Sequence, residues 1–274
     1  MKFKLYNELS LLLLIGSGTQ CLAQTSPTYS IDELSCPTTN EEIVALYKMG
    51  FSALEQTEYY NTAGRIFFQI IQKDKELCDA YYYTGVALTK QDKDNAAYTY
   101  LYYADSLAIQ PTLTFKVALA ESALRIDNIG LARKKYEEIK QYFPDSPEGY
   151  FGLSLTATSL GDIVEGLVNT DRTLAKYKNT GLLTEQREQE IYFIKAILLR
   201  MNAQYDKAIS FFEKSKPYFG TTTDFLANYA LATYELYKQT KEAKWKIESQ
   251  QALAQIQDKS TLKDDFIHQF NYDD

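Results

Sequence analysis

The stretch CDAYYYTGVALTKQDKDNAAYTYLYYADSLAIQP, Cys78–Pro111, decides the fold. From Tyr81 the chain reaches Gly85, Leu88, Ala97, Leu101 and Ala104, at offsets of 4, 7, 16, 20 and 23. The first three share one face of a helix, and the last three share one face of a second helix. Small residues at Gly85 and Ala97 let two helix backbones approach, and larger side chains fill the space that remains. Between them Gln91-Asp92-Lys93-Asp94-Asn95 supplies a polar turn.

The lattice recurs along the chain, and a period of this length points to stacked units that bury one another's faces. Leu119, Ala120, Ala123, Ala132, Tyr136 and Ile139 repeat it, with Pro144 ending the second helix. Tyr150, Ser154, Ala157, Gly161, Gly166 and Leu174 repeat it again, weakened at Gly166 and Thr170. Tyr192, Ala196, Leu199, Tyr205, Ala208 and Phe212 form a further copy. Upstream, Met49, Gly50, Ala53, Tyr59, Ala63, Phe67 and Ile70 make a first unit, and downstream Leu226, Tyr229, Ala230 and Thr233 begin a last one. The pattern resembles the tetratricopeptide-repeat family over residues 41–257. That resemblance implies an all-α fold, a right-handed superhelical solenoid of antiparallel helix pairs. The expected units are 41–77, 78–112, 113–146, 147–180, 189–222 and 223–257, with an inserted linker before Gln189. Residues 258–274 read as a capping segment, with Phe266 and Phe270 on one helical face.

Composition agrees with helices packed through aromatic rings. In 274 residues there are 12 Gly and 6 Pro but 23 Tyr and 14 Phe, and 45% of the chain is apolar, which excludes a disordered or collagen-like chain. One His excludes a multi-histidine metal site. The formal charge of −7 argues against nucleic acid as a partner, because phosphate capture needs a basic face. At the N-terminus Lys2 and Lys4 precede the apolar run Leu9 to Ile15, followed by Cys21-Leu22-Ala23-Gln24. This order predicts a signal peptide over residues 1–23, cleaved after Ala23, and a chain exported to the periplasm or cell envelope, or secreted. The run is too short to span a bilayer, and no later segment predicts a transmembrane helix. The alternative is lipidation at Cys21, which the bulky Gln20 before it disfavours.

After cleavage Cys36 and Cys78 remain, an even number for an oxidising compartment. Two readings stay open. A disulfide would pin the lead-in 24–40 to the edge of the array, closing about 42 residues and stabilising by roughly 4 kcal/mol in the chain-entropy treatment. Alternatively the two are separate thiols, with Cys78 packed in the core. No phosphate loop or nucleophile elbow is present, and His268 lies far along the chain from either Cys, so no catalytic residue, metal site or cofactor is expected. Glu185 to Glu190 read as the charged start of a helix rather than a recognition patch, and Asp105-Ser106-Leu107 matches a short O-glycosylation pattern.

The family resemblance also places the binding face. First helices of such arrays line a concave groove, and the corresponding positions here are Tyr47 and Phe51, Tyr82, Val86 and Lys90, Arg125, Phe151 and Leu155, and Phe193, Ile197 and Arg200. The basic carboxylate clamp of chaperone-binding members is absent, since Tyr47 and Phe51 occupy its first positions. An aromatic groove implies a non-enzymatic scaffold that docks a partner polypeptide. The alternative is a carbohydrate- or small-ligand-binding module, because tyrosines stack on sugars. On the first reading Phe151 and Phe193 anchor a partner, so that truncating them weakens binding and leaves folding intact.

Overall fold

The computed structural model describes residues 29–257, 262 and 266–272. The expected signal peptide, with Cys21 and the cleavage position after Ala23, lies outside them, as does part of the expected capping segment. Twelve α-helices are present among the described residues: α1 (Glu41–Leu54), α2 (Tyr60–Lys73), α3 (Cys78–Thr89), α4 (Asp94–Leu107), α5 (Leu113–Arg125), α6 (Ile129–Tyr142), α7 (Glu148–Leu160), α8 (Ile163–Thr180), α9 (Glu185–Met201), α10 (Tyr205–Phe219), α11 (Thr223–Thr240) and α12 (Ala243–Gln255). They are all-α helix pairs, packed consecutively. No described helix is long and apolar enough to cross a membrane.

The turns inside the pairs share one device. Asp92, Asp127, Gly161, Ala203 and Lys241 each take a positive φ between a first and a second helix. In four of these turns a backbone N–H then donates five residues back: Lys93 to Leu88 at 3.0 Å, Asn128 to Ala123 at 2.7 Å, Asp162 to Ala157 at 3.2 Å and Gln204 to Leu199 at 2.9 Å. This bond closes a helix whose last carbonyls lack partners, and it requires the left-handed residue. The first pair departs from the rule, with a 3₁₀ turn over Thr57–Tyr59 between α1 and α2. Helix starts are fixed by side chains. Asn40 Oδ1 accepts the Glu42 N–H at 3.0 Å, Asn128 Oδ1 that of Leu131 at 3.2 Å, and Thr184 Oγ1 that of Arg187 at 3.1 Å.

The helices divide between two compact units, one within residues 15–149 and one within 150–274, with the boundary inside α7. In the N-terminal unit Ile43, Tyr47, Phe51, Phe67, Ile70 and Leu77 form a buried cluster. Close approach explains the glycines of the pattern: a Cβ on Gly85 would sit 2.6 Å from Leu101 Cγ. In the C-terminal unit Phe193, Phe212, Phe219, Phe225 and Tyr229 form a chain of ring contacts at 5.0 to 6.0 Å.

One segment differs from its sequence reading. Residues 180–188, expected as a linker, are partly helix: α8 runs on to Thr180, and α9 begins behind the Thr184 cap at Glu185, where the charged helix start was expected. Arg187 and Glu190, within that charged start, are 2% and 1% exposed and pair at 2.8 Å. The Arg187 guanidinium lies 3.9 Å from the centroid of the Phe151 ring. Desolvating this pair is tolerable because each charge gains the other, and the arginine also gains an aromatic face. At the C-terminus Phe266 is buried against Phe270 at 5.3 Å, around a 3₁₀ turn over Ile267–Gln269.

Candidate functional site

The N-terminal unit presents the first candidate face, on α1, α3 and α5. Tyr47 and Phe51 do not belong to it. They are 0% and 5% exposed, and their rings pack on Phe67 at 6.1 and 5.7 Å. Phe51 is further covered by Tyr29, stacked on it at 5.5 Å, while Tyr29 meets Tyr83 edge-on at 5.8 Å. The lead-in segment thus occupies the ground next to α1. Farther along, α3 and α5 are adjacent first helices. They leave Tyr82, Val86, Glu121 and Arg125 partly exposed and Lys90 exposed. Tyr82 stacks on Phe115 at 4.8 Å, so one side of its ring is fixed from below. Burial, and then the charge of Glu121, push the Tyr82 hydroxyl above its ordinary pKa. Lys90 and Arg125 occupy equivalent places at the C-terminal ends of their helices, where a cation also complements the helix dipole.

The lead-in is tied down covalently. Cys36 and Cys78 form a disulfide with a Cα–Cα distance of 5.7 Å. Beside it the buried Asp79 carboxylate accepts the N–H groups of Ser35 and Cys36 at 3.1 and 2.7 Å. Burial raises the Asp79 carboxyl above its ordinary pKa, and the two N–H donors pull against that rise. Ligand atoms of Cys36, Cys78 and Asp79 lie within 4.8 Å of one another, but sulfurs joined to each other offer a metal no thiolate.

A network of four charges lies behind this face. Lys116 Nζ contacts Asp105 at 3.1 Å and Glu138 at 2.7 Å, and Lys135 Nζ contacts the same two carboxylates at 2.7 and 3.0 Å. The side chains of Asp105 and Lys116 are 6% and 8% exposed. Burial works to raise the Glu138 carboxyl, but hydrogen bonds and charge from Lys116 and Lys135 outweigh it and hold the group below its usual pKa. Asp105 is therefore engaged in this ring, and only Ser106 of the Asp105-Ser106-Leu107 pattern is exposed.

In the C-terminal unit most of the expected groove residues prove to be interior. Phe151, Leu155, Phe193 and Ile197 are 7%, 3%, 1% and 2% exposed. Phe193 is closed in by Phe219, Phe225 and Phe212, and Phe151 lies beneath Arg187. The lengthened α8 and α9 explain the burial of Phe151, because the extra turn of α9 carries Arg187. Arg200 is half-buried; its Nε donates to Asn228 Oδ1 at 3.1 Å, and burial lowers its pKa to about 10. Near it on α11, Asp224 is buried, and desolvation raises its carboxyl to about 7.

Sequence reasoning missed a cleft in the same unit. It lies between α10, α11 and α12 and has a volume of about 480 Å³. Ile209, Leu226 and Ala252 give it an apolar side; Glu213, Lys216, Tyr229, Trp245, Glu248 and Gln251 give it a polar and aromatic one. The Tyr229 hydroxyl donates to Glu248 at 2.7 Å. Its pKa is raised by burial first and then by hydrogen bonds to Glu248 and Glu213. The only available signal was Trp245, the single Trp of the chain, in the degenerate half of the last unit.

No protein-family model and no curated relative matches the chain. Solved structures do. The chain is similar to pilF of Pseudomonas aeruginosa, with a TM-score of 0.57 at 14% identity over 78% of this chain and 98% of that one. It is similar to the APC/C hetero-tetramer Cut9-Hcn1, with a TM-score of 0.61 at 18% identity over 82% of this chain and 44% of that one. It is also similar to YrrB, a TPR protein with an unusual peptide-binding site, with a TM-score of 0.52 at 15% identity over 74% and 96%. The helix pairs, the glycine contacts between them and these likenesses agree on one architecture: this chain has the fold of tetratricopeptide-repeat proteins.

Proposed function

We propose that the protein is a non-enzymatic scaffold of the cell envelope that docks a partner polypeptide on the first-helix face of α3 and α5. The observation that carries this reading is the partial exposure of Tyr82, Val86 and Arg125 and the exposure of Lys90 on adjacent first helices, while the equivalent rings of α1, α7 and α9 are buried. An aromatic and aliphatic floor with basic residues at one edge suits an extended segment anchored by an apolar side chain. YrrB's peptide-binding site, on a similar fold, supports a polypeptide ligand. The Cys36–Cys78 disulfide supports an oxidising compartment, in line with the export signal expected at the N-terminus. Cross-linking and affinity capture from an envelope extract test the reading. Val86→Asp and Lys90→Glu, both at solvent-accessible positions, should lower recovery of the captured polypeptide about tenfold or more while the far-UV spectrum is unchanged. Unchanged recovery with both variants would exclude this face. Intact mass tests the location: loss of the first 23 residues supports export, and a lipid-bearing chain beginning at Cys21 would replace it with a membrane tether.

A further inference from the structure

We propose that the cleft between α10, α11 and α12 is a second binding site, one that receives the cationic side chain of a lysine or arginine presented by a polypeptide. The cleft is large enough for a ligand group, at about 480 Å³. Its chemistry selects the charge. Tyr229 stands between Glu248 and Glu213, yet its hydroxyl carries one proton, and Glu248 accepts it at 2.7 Å. Lys216 answers Glu213 at 3.3 Å. Two carboxylates and one ammonium leave the lining with one negative charge in excess, so a single additional cation balances it.

The aromatic walls already bind ammonium groups within the chain. Lys216 Nζ lies 5.7 Å from the centroid of the Tyr229 ring, and Lys244 Nζ lies 4.2 Å from that of Trp245. A cation held against an aromatic face and a carboxylate together is the arrangement in which both attractions add. The apolar side suits the methylene stem of a long basic side chain, which buries its carbons while its head stays paired. A neutral ligand would leave the charge unanswered. This site rests on the polypeptide-scaffold reading only for the source of the side chain. It lies on a different unit from the α3 and α5 face, so either can fail alone.

Trp245 makes the test direct, since the chain's entire tryptophan emission arises at the cleft. The full chain is titrated with the capped tripeptides Ac-Gly-Lys-Gly-amide and Ac-Gly-Arg-Gly-amide, with Ac-Gly-Gln-Gly-amide as neutral control and maltotriose as a neutral sugar. The expected result is a saturable emission change with the two basic peptides alone, reaching saturation below about 10 mM. Glu213→Gln combined with Glu248→Gln should weaken it tenfold or more. Because that pair also removes bonds to Tyr229, Gln251→Lys carries the test independently: at an exposed rim position it supplies the missing charge and should abolish the response. Equal responses to the neutral peptide, a response to maltotriose alone, no response to any probe, or wild-type titration by Gln251→Lys would each overturn the proposal.

Discussion

Phe193→Ala separates a ring that anchors a partner from a ring that holds the unit together. The side chain is 1% exposed, stacked on Phe219 at 5.0 Å and in contact with Phe225 and Phe212 at 5.9 and 6.0 Å. Truncation removes its transfer free energy and leaves a cavity whose walls are three other rings on two neighbouring helices, Phe212 and Phe219 on α10 and Phe225 on α11. Those walls cannot collapse without moving α9, α10 and α11 together. The cost should therefore fall at about 3 to 5 kcal/mol, against a total domain stability of about 5 to 15 kcal/mol. With a urea slope of about 2 kcal/mol per molar, the midpoint should drop by about 1.5 to 2.5 M. Trp245 belongs to the same unit, so its emission reports this transition, while far-UV ellipticity reports both units. Phe193→Leu, which keeps most of the volume, should cost less than about 1.5 kcal/mol. A loss below about 1 kcal/mol for Phe193→Ala would show that the ring is not enclosed and would return it to the binding face.

Four further outcomes follow from the geometry. Asp224, raised to about 7 by burial against an unfolded value near 4, binds its proton more tightly in the folded chain; its contribution is present below about pH 4 and is lost as pH rises through 7. Asp224→Asn should flatten that decline, on the order of 4 kcal/mol, in urea midpoints compared between pH 4 and 7.5, and parallel curves would refute it. Replacing Cys36 and Cys78 together with Ala should cost about 4 kcal/mol of the N-terminal unit's stability, read as the gap between oxidised wild type and variant, which closes on adding reductant. Ala203→Gly should stabilise by about 1 kcal/mol in thermal melts, because Ala203 sits at φ 55°. Lys116→Met should destabilise by about 3 kcal/mol, because it leaves Asp105 and Glu138 to share the single cation Lys135, and a neutral result would mean that water solvates the excess carboxylate.

The helix pairs were legible because their signal lies in small residues that backbones approach. Gly85 against Leu101 and Gly50 against Phe67 leave no room for a Cβ, and such positions recur at a fixed period. The candidate face was legible only in part. Repeat position says which helix face a residue occupies, but whether that face is open depends on what crosses it from elsewhere in the chain. Tyr29 covers Phe51 and Arg187 covers Phe151, and neither is encoded in the repeat. The burial of Arg187 and Glu190 could not be read from the sequence, because a charge alone says nothing of its partner. The cleft was invisible for another reason: it arises between helices α10, α11 and α12, where the pattern is weakest.

The ring of Asp105, Lys116, Lys135 and Glu138 constrains how this sequence drifts over evolutionary time. Each member touches two of opposite sign, so changing any one leaves two neighbours facing a like charge or a void. Intermediates with three members are the costly ones, whereas replacing an acid and a base at once restores neutrality. In sister sequences these four positions should accordingly vary by coordinated exchange, an acid and a base lost or gained in the same lineage. Exposed pairs such as Lys216 with Glu213, 54% and 45% exposed, carry no such bond between their histories.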